Sequence, residues 1–143
     1  MCEWVIETAK RCEPLVEGMR KNLKAGPMVQ MDETPLQVLG ELGKKNTAKS
    51  YMRVARGGNI KNPVLLYQYH RSRSKEVANE FLADYRGYLQ TDGYAGYDEA
   101  GNQEGIVHVG CWAHVRRKFF DAKSGSKKVG SGRSWFAILI IGC

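Results

Sequence analysis

The chain has 143 residues, of which 43% are hydrophobic and 26% charged. That is enough for one domain with a hydrophobic core, and it excludes global disorder. The formal net charge is +7, and between residues 111 and 133 seven basic residues stand against one acid, Asp121. A local basic excess is typical of a patch that meets a polyanion, although a solvated face has the same composition.

The four cysteines show no CxxC spacing, and no secretory signal precedes them. We therefore expect a reduced, cytoplasmic compartment. Cys111 and His114 have CxxH spacing, but nothing nearby completes the four ligands of a zinc site. The apolar run WFAILII at residues 135–141 is too short to cross a bilayer, so we predict no membrane segment.

The first half of the chain predicts a helix followed by three strands. Apolar residues three or four apart indicate a helix, which Pro14 is expected to kink or split and the AGP tripeptide to end. A GGN sequence indicates a turn between the second and third strands, which are rich in aromatic and branched residues. The ranges are 4–23 for the helix, 25–27 for AGP, 28–39, 51–55 and 63–70 for the strands, and 57–59 for the turn.

The second half predicts a helix, two strands and a helix. Ser74 has the character of an N-cap, and Gly87 stands where a left-handed C-terminal residue belongs. Strands follow over residues 88–91 and 105–110, and a helix over 111–123. Strands joined by short turns predict an antiparallel meander, and the strand–helix–strand step predicts a right-handed parallel crossover. The fold class is therefore α/β.

Two carboxylates are each predicted where a strand meets a turn. Asp32 lies in VQMDETP, where Pro35 limits regular pairing, and Asp92 lies in LQTDGYAGY. If the crossover places the fourth strand beside the first, both carboxylates share one edge of the sheet. Two carboxylates that close repel each other unless a cation lies between them, and Mg²⁺ is a natural occupant. The alternative is that Asp92 merely opens a turn.

Three blocks of sequence, MDETPLQVL, LQTDGYAGY and GCWAHVRRKFFDA, resemble the catalytic core of the insertion-sequence-66 family of bacterial DDE transposases. The linking segment YQYHRSRSKEVANEFLADYRGYLQTDGY fits the same pattern, and the likeness covers about residues 29–122. The resemblance implies an RNase H-like fold. Such a fold has a mixed five-stranded sheet, with three antiparallel strands followed by parallel additions, flanked by helices and here incomplete at the C-terminus.

The resemblance also implies site residues and partners. Asp32 matches the first catalytic carboxylate and Asp92 the second, and both would be ligands of a two-ion Mg²⁺ or Mn²⁺ site. The activity implied is cleavage of phosphodiesters at transposon ends and transfer of the freed strands to target DNA. The chain would work in the bacterial cytoplasm at the nucleoid, as a homo-oligomer or in association with a full-length transposase.

The last helix carries the candidate DNA contacts. Arg116, Arg117 and Lys118 are predicted to face outward and could bind DNA phosphates. His114 is predicted to lie largely outward with them, either as a contact to the substrate or as an ordinary surface histidine. Trp112 is expected to face inward with Val115 and Phe119, as core rather than as a base-stacking platform. Tyr94 and Tyr97 could stack on unpaired bases or pack the turn.

The sequence also departs from the family pattern. A DDE enzyme needs a third carboxylate, and none of Asp98, Glu99, Glu104 or Asp121 matches it. We therefore expect an N-terminal linker helix over 1–26, a partial core over 27–123, and a divergent tail over 124–143 that could be out of frame. Such a truncated copy would keep the fold and the metal pair without complete catalysis. Alternatives are a non-catalytic DNA-binding module or a subunit that interferes with an intact transposase, and a pseudogene product without function.

Overall fold

A computed structural model describes residues 3–124 of the chain. The chain divides into a first unit that runs from Met1 to Gly110 and a second unit that begins at Cys111. Within the described residues, no helix is both long and apolar enough to cross a membrane. The elements, in chain order, are α1 (Glu3–Lys24), β1 (Met28–Gln37), β2 (Lys49–Asn59), β3 (Asn62–His70), α2 (Lys75–Leu82), β4 (Gly87–Thr91), a 3-10 helix (Ala95–Tyr97), α3 (Asp98–Gly101), β5 (Ile106–Gly110) and α4 (Trp112–Ser124).

The first unit is built on a mixed five-stranded sheet with the order β3-β2-β1-β4-β5. The first three strands form an antiparallel meander. Strand β4 then pairs parallel to β1, and β5 pairs parallel to β4. The predicted α/β fold class, with an antiparallel meander and parallel additions, is confirmed.

The two faces of the sheet differ because successive side chains of a strand point to opposite sides. On β1, Val29 and Met31 are buried, whereas Asp32 between Met31 and Glu33 is exposed. Helix α2 contributes several buried side chains to the core of the first unit. Helix α1 contributes one buried residue, Leu23, from its last turn. The core residues are Leu23, Val29, Met31, Ala55, Leu66, Ala78, Phe81, Leu82, Tyr85, Leu89, Tyr97 and Ala100.

Neither proline ends the element in which it lies. Helix α1 runs without a break through Pro14. The carbonyl that loses its hydrogen bond there belongs to the exposed Lys10, so water can serve as its partner. Pro35 does not end β1, because it still pairs with Tyr51 of β2. The pairing of β1 with β4 has already ended at Gln30, so a missing N–H on that side costs little.

Two expectations about glycine are wrong. Gly57 and Gly58 lie inside β2, and the hairpin turns beyond Asn59 instead. Gly87 does not cap α2, which ends at Leu82, but begins β4 with φ +142°. A Cβ there would lie 2.7 Å from the carbonyl oxygen of Pro27, so glycine lets β4 start close to the chain that leads into β1. The 3-10 helix and α3 were not predicted.

Candidate metal centre

Asp32 and Asp92 are placed by the register of the parallel strands. The last parallel pair between β1 and β4 is Gln30 with Gln90, so each aspartate stands two residues further along its chain. At Asp32, strand β1 is still paired with β2 but no longer with β4. The carboxylate oxygens of Asp32 and Asp92 lie within 4.8 Å of each other.

Asp92 both opens a turn and presents a carboxylate. Gly93 follows it with φ +81°, a left-handed conformation that favours glycine. The backbone N–H of Tyr94 donates a hydrogen bond to Oδ1 of Asp92 at 3.0 Å, as in an Asx-turn. The side chain keeps 24% of its surface exposed. The two interpretations that the sequence left open are therefore compatible.

Oxygen chemistry and spacing fit a divalent cation at this pair. Carboxylate oxygens are the ligands that Mg²⁺ prefers, at about 2.0–2.1 Å, so two oxygens on opposite sides of one ion stand about 4 Å apart. The Asp32 and Asp92 oxygens lie at most 4.8 Å apart, which is compatible with that value. These two residues could hold such an ion.

A buried ion-pair network lies on the other face of β1, next to this pair. The Glu33 side chain is 2% exposed, and its Oε2 stands 3.6 Å from Nε of Arg53, which is 4% exposed. Glu33 Oε1 pairs with Nε of Arg73, and the Tyr97 hydroxyl donates to Glu33 Oε2 at 2.5 Å. Burial is the main cause, and the hydrogen bond to Glu33 the second, of a Tyr97 pKa well above its ordinary value. The hydroxyl therefore stays protonated and acts as a donor.

Arg73 connects this network to Asp92. Its Nη2 lies 3.8 Å from Oδ2 of Asp92. Its guanidinium carbon lies 3.4 Å from the ring centroid of Tyr94, a cation–π contact. Tyr97 is 1% exposed, and Tyr94 meets it edge to face with ring centroids 6.1 Å apart. The two tyrosines therefore pack the turn, and Tyr97 offers no surface on which a base could stack.

Sequence reasoning missed Glu33, Arg53 and Arg73. A signal was present, because Val29, Met31 and Glu33 are two apart and therefore share one face of β1. An acidic side chain on an otherwise apolar strand face must find a buried partner. Arg53 is that partner, directly opposite Glu33 in the register.

The second unit holds the remaining candidate residues, on α4. Arg116, Arg117 and Lys118 are exposed, as predicted, and the guanidinium carbon of Arg116 lies 4.4 Å from the Phe120 ring centroid. His114 is half-buried rather than largely outward. Trp112 is 78% exposed, so its expected inward position is wrong. Trp112 is the first residue of α4. Its spacing from Val115 and Phe119 fits an apolar helix face, but its own side chain is largely uncovered.

The CxxH spacing of Cys111 and His114 reflects the start of α4. The backbone carbonyl of Cys111 accepts hydrogen bonds from the N–H groups of His114 and Val115, at 3.1 and 3.2 Å. A side-chain hydrogen bond from His114, aided by the backbone N–H groups of His114 and Ala113, lowers the pKa of the Cys111 thiol. Cys111 is a free thiol at the position that caps the helix.

A family model described as "Transposase IS66 family" matches residues 1–137. The chain therefore belongs to the IS66 family of transposases. The match is wider at both ends than residues 29–122, over which the sequence blocks carry the resemblance.

Two curated relatives come from Sinorhizobium fredii (strain NBRC 101917 / NGR234). The uncharacterized protein y4qI is 31% identical over 132 residues, which cover 85% of this chain and 24% of that protein. The uncharacterized protein y4jD is 30% identical over 129 residues, which cover 82% of this chain and 25% of that protein. The chain thus spans about a quarter of the length of these relatives.

Among solved structures, a distant likeness is found to a chain in the cryoEM structure of the simian T-cell lymphotropic virus intasome in complex with PP2A regulatory subunit B56 gamma. The TM-score is 0.41 and the sequence identity 14%. The likeness covers 80% of this chain and 46% of that chain.

Proposed function

We propose that the first unit is the carboxylate-bearing part of a DDE transposase catalytic domain, which handles DNA phosphodiesters with divalent metal ions. Membership of the IS66 family gives the context. The observation that carries the proposal is the approach of Asp32 and Asp92, 60 residues apart in sequence, to within 4.8 Å. The parallel register of β1 and β4 produces this approach.

Asp32 and Asp92 would hold Mg²⁺ or Mn²⁺ in a two-ion site. Bound divalent ions supply activation of a water or 3′-hydroxyl nucleophile and stabilisation of the leaving oxygen of the phosphodiester. The protein residues position the ligands and compensate charge. Asp92 is suited to this because a backbone N–H fixes one of its oxygens.

We further propose that this chain binds metal without completing cleavage by itself. A DDE enzyme needs a third carboxylate, and Asp98, Glu99, Glu104 and Asp121 are poor candidates by sequence. In the first unit, Glu99 forms an exposed ion pair with Lys75 at 2.7 Å. Cleavage and strand transfer would then require parts of a longer transposase.

Metal binding to the full 143-residue chain tests the proposal. Titration with Mn²⁺, followed by electron paramagnetic resonance, should show binding that Asp92→Asn and Asp32→Asn abolish. Asp98→Asn is the matched control, because Asp98 is exposed and begins α3. Absence of Mn²⁺ binding in the wild-type chain would reject the metal proposal. If the chain alone cuts DNA in a metal-dependent way and Asp92→Asn abolishes the cutting, the proposal that it cannot complete cleavage is rejected.

A second candidate function is a DNA-binding module without catalysis, which could interfere with an intact transposase. The exposed Arg116, Arg117 and Lys118 on α4 favour it, because clustered cations bind phosphates regardless of sequence. His114 would be an auxiliary contact. DNA binding that is equal in Mg²⁺ and in EDTA, and unaffected by Asp32→Asn, would support this function over the first.

A further inference from the structure

Arg73 lies between β3 and α2 and is held from three sides. Its Nε pairs with Oε1 of Glu33. Its guanidinium lies over the Tyr94 ring, 3.4 Å from the centroid. Its backbone carbonyl accepts a hydrogen bond from the Tyr94 hydroxyl at 3.3 Å. An ion pair, an aromatic ring and a backbone contact together make the guanidinium a positive charge in a fixed position.

That fixed charge faces Asp92. The separation of 3.8 Å between Nη2 and Oδ2 of Asp92 is too long for a hydrogen bond but short enough for a substantial Coulombic attraction. The other oxygen, Oδ1, accepts the Tyr94 N–H. Oδ2 is therefore oriented by Arg73 without a hydrogen bond to it, and the Asp92 side chain keeps 24% of its surface exposed.

The same network reaches Asp32 through Glu33. Glu33 follows Asp32 on β1, and its backbone N–H donates to Oδ1 of Asp32 at 2.8 Å. Its buried carboxylate anchors Arg73 on the opposite face of the strand. A continuous series of contacts thus runs from Asp32 through Glu33 and Arg73 to Asp92. It also brings a positive charge to Asp92, one of two neighbouring carboxylates that would otherwise repel each other.

We propose that Arg73 is a positioning residue, which holds the Asp92 carboxylate opposite Asp32 so that the pair can bind a divalent cation. The inference rests on the proposed function, and it assigns Arg73 no direct contact with the cation. The planar guanidinium matters, because it pairs with Glu33 and stacks on Tyr94 at once, which a lysine ammonium cannot reproduce.

Mn²⁺ binding to the full chain provides the first measurement. Loss of residues that orient metal ligands typically weakens metal affinity by about 10- to 100-fold, and we expect a Kd increase in this range for Arg73→Gln. Arg73→Lys should lose less, because it keeps the charge. The matched control is Arg71→Gln, since Arg71 is exposed and pairs with Glu41 at 2.8 Å. Its Kd should equal that of the wild-type chain.

A second measurement needs no metal. In EDTA, the Tyr94 amide proton is protected by its hydrogen bond to Asp92. If Arg73 fixes Asp92, hydrogen exchange at this amide should be several-fold faster in Arg73→Gln and unchanged in Arg71→Gln. A merely structural role would speed exchange throughout the core, including at Leu89.

The two measurements separate failure of the inference from failure of the proposed function. Unchanged or tighter Mn²⁺ binding with unchanged Tyr94 exchange would overturn the role of Arg73, while Mn²⁺ binding by the wild-type chain would leave the proposed function standing. A wild-type chain that binds no Mn²⁺ would reject the proposed function. Exchange at Tyr94 would still decide whether Arg73 holds Asp92.

If Arg73→Gln does not fold, Tyr94→Leu serves in its place. It removes the ring beneath the guanidinium and leaves the Glu33–Arg73 ion pair intact. A several-fold weaker Mn²⁺ affinity is expected, and wild-type affinity would count against the inference.

Discussion

At the scale of single residues, Glu33 links the segments that carry Asp32 and Asp92. It follows Asp32 on β1, and its side chain points to the opposite face of the sheet. Glu33 is almost fully buried and contacts β2, the segment before α2 and the 3-10 helix, through Arg53, Arg73 and Tyr97. A buried charge is tolerated only when it is paired and hydrogen-bonded. Glu33 meets both conditions, so it fixes the segments that carry the two aspartates.

Glu33→Ala should therefore destabilise the chain strongly. Removing one partner leaves Arg53 buried without its compensating charge, which typically costs about 3–5 kcal/mol. The free energy of unfolding, measured with urea, checks this. Glu99→Ala is the control, because Glu99 forms an exposed pair with Lys75, and it should be close to wild type. Equal stability of the two variants would contradict the anchoring role of Glu33.

His70, the last residue of β3, predicts a dependence of stability on pH. Its Nε2 is buried without a hydrogen-bond partner among residues 3–124. Burial, aided by the nearby Arg53, lowers the pKa of His70. The folded chain therefore binds this proton less readily than the unfolded chain, whose histidine has a pKa of about 6.5. Stability should be lost as the pH falls below that value.

Urea unfolding at pH 7.5 and pH 5.5 measures this effect. His70→Phe cannot titrate, so the difference in unfolding free energy between the two pH values should be smaller in the variant than in the wild-type chain. An identical difference in both proteins would show that His70 does not contribute.

At the scale of elements, α1 is held to the sheet by its last turn. Most of the helix is exposed, and Leu23 is its buried residue. The helix approaches β2 so closely that a Cβ on Gly57 would lie 2.6 Å from the carbonyl oxygen of Leu23. Lys24 adds an ion pair with Asp84 at 2.6 Å, beyond the end of α2. Close packing at one end thus positions a helix that is otherwise solvated.

Gly57→Ala should disturb this contact. Overpacking a close-packed site typically costs about 1–3 kcal/mol, and the free energy of unfolding should fall by that amount. Gly18→Ala, which lies in α1, is the control, since a Cβ there meets nothing within 4 Å. It should stabilise α1 by about 1 kcal/mol, because alanine favours a helix more than glycine does. Two variants of equal stability would show that α1 does not pack against β2.

At the scale of the whole molecule, the positive charge is unevenly distributed along the chain. The net charge is +7, and α4 presents three consecutive exposed cations, Arg116, Arg117 and Lys118. Each cation that neutralises a DNA phosphate adds about 0.9 to the slope of log affinity against log salt concentration. Affinity from such contacts carries little sequence information.

Replacing Arg116, Arg117 and Lys118 by Gln should therefore lower that slope by about 2–3. The slope is measured by fluorescence anisotropy with duplex DNA at salt concentrations from about 50 to 200 mM, the range over which this effect is large. The loss should be similar for unrelated DNA sequences.

A triple Gln variant of Lys45, Lys49 and Lys61, which are exposed in the first unit, is matched in charge. It should keep the wild-type slope. Equal losses in both triple variants would mean that net charge alone, and not α4, governs DNA affinity.

Local sequence determined most of the elements. The apolar periodicity of α1, the AGP sequence that ends it, the apolar stripe of α2 and the residues of β3, β4 and β5 were sufficient for the element order and the parallel crossover. These features depend on neighbouring residues, so a single sequence contains them. Gly57 and Gly87 were misinterpreted, and the interruption by Pro14 and Pro35 was overestimated, because each effect depends on what lies beside the residue in space.

The candidate site was only half determined by sequence. Asp32 and Asp92 were identified from their motifs, but their separation follows from a register that pairs Gln30 with Gln90. Only the tertiary structure joined Glu33, Arg53 and Arg73, because residues from three separate segments meet at the buried Glu33 carboxylate. The strand periodicity indicates that Glu33 faces inward, but it does not indicate which cations pair with it. The pairing arises because a carboxylate on an inward strand face must find its partner wherever the fold brings one.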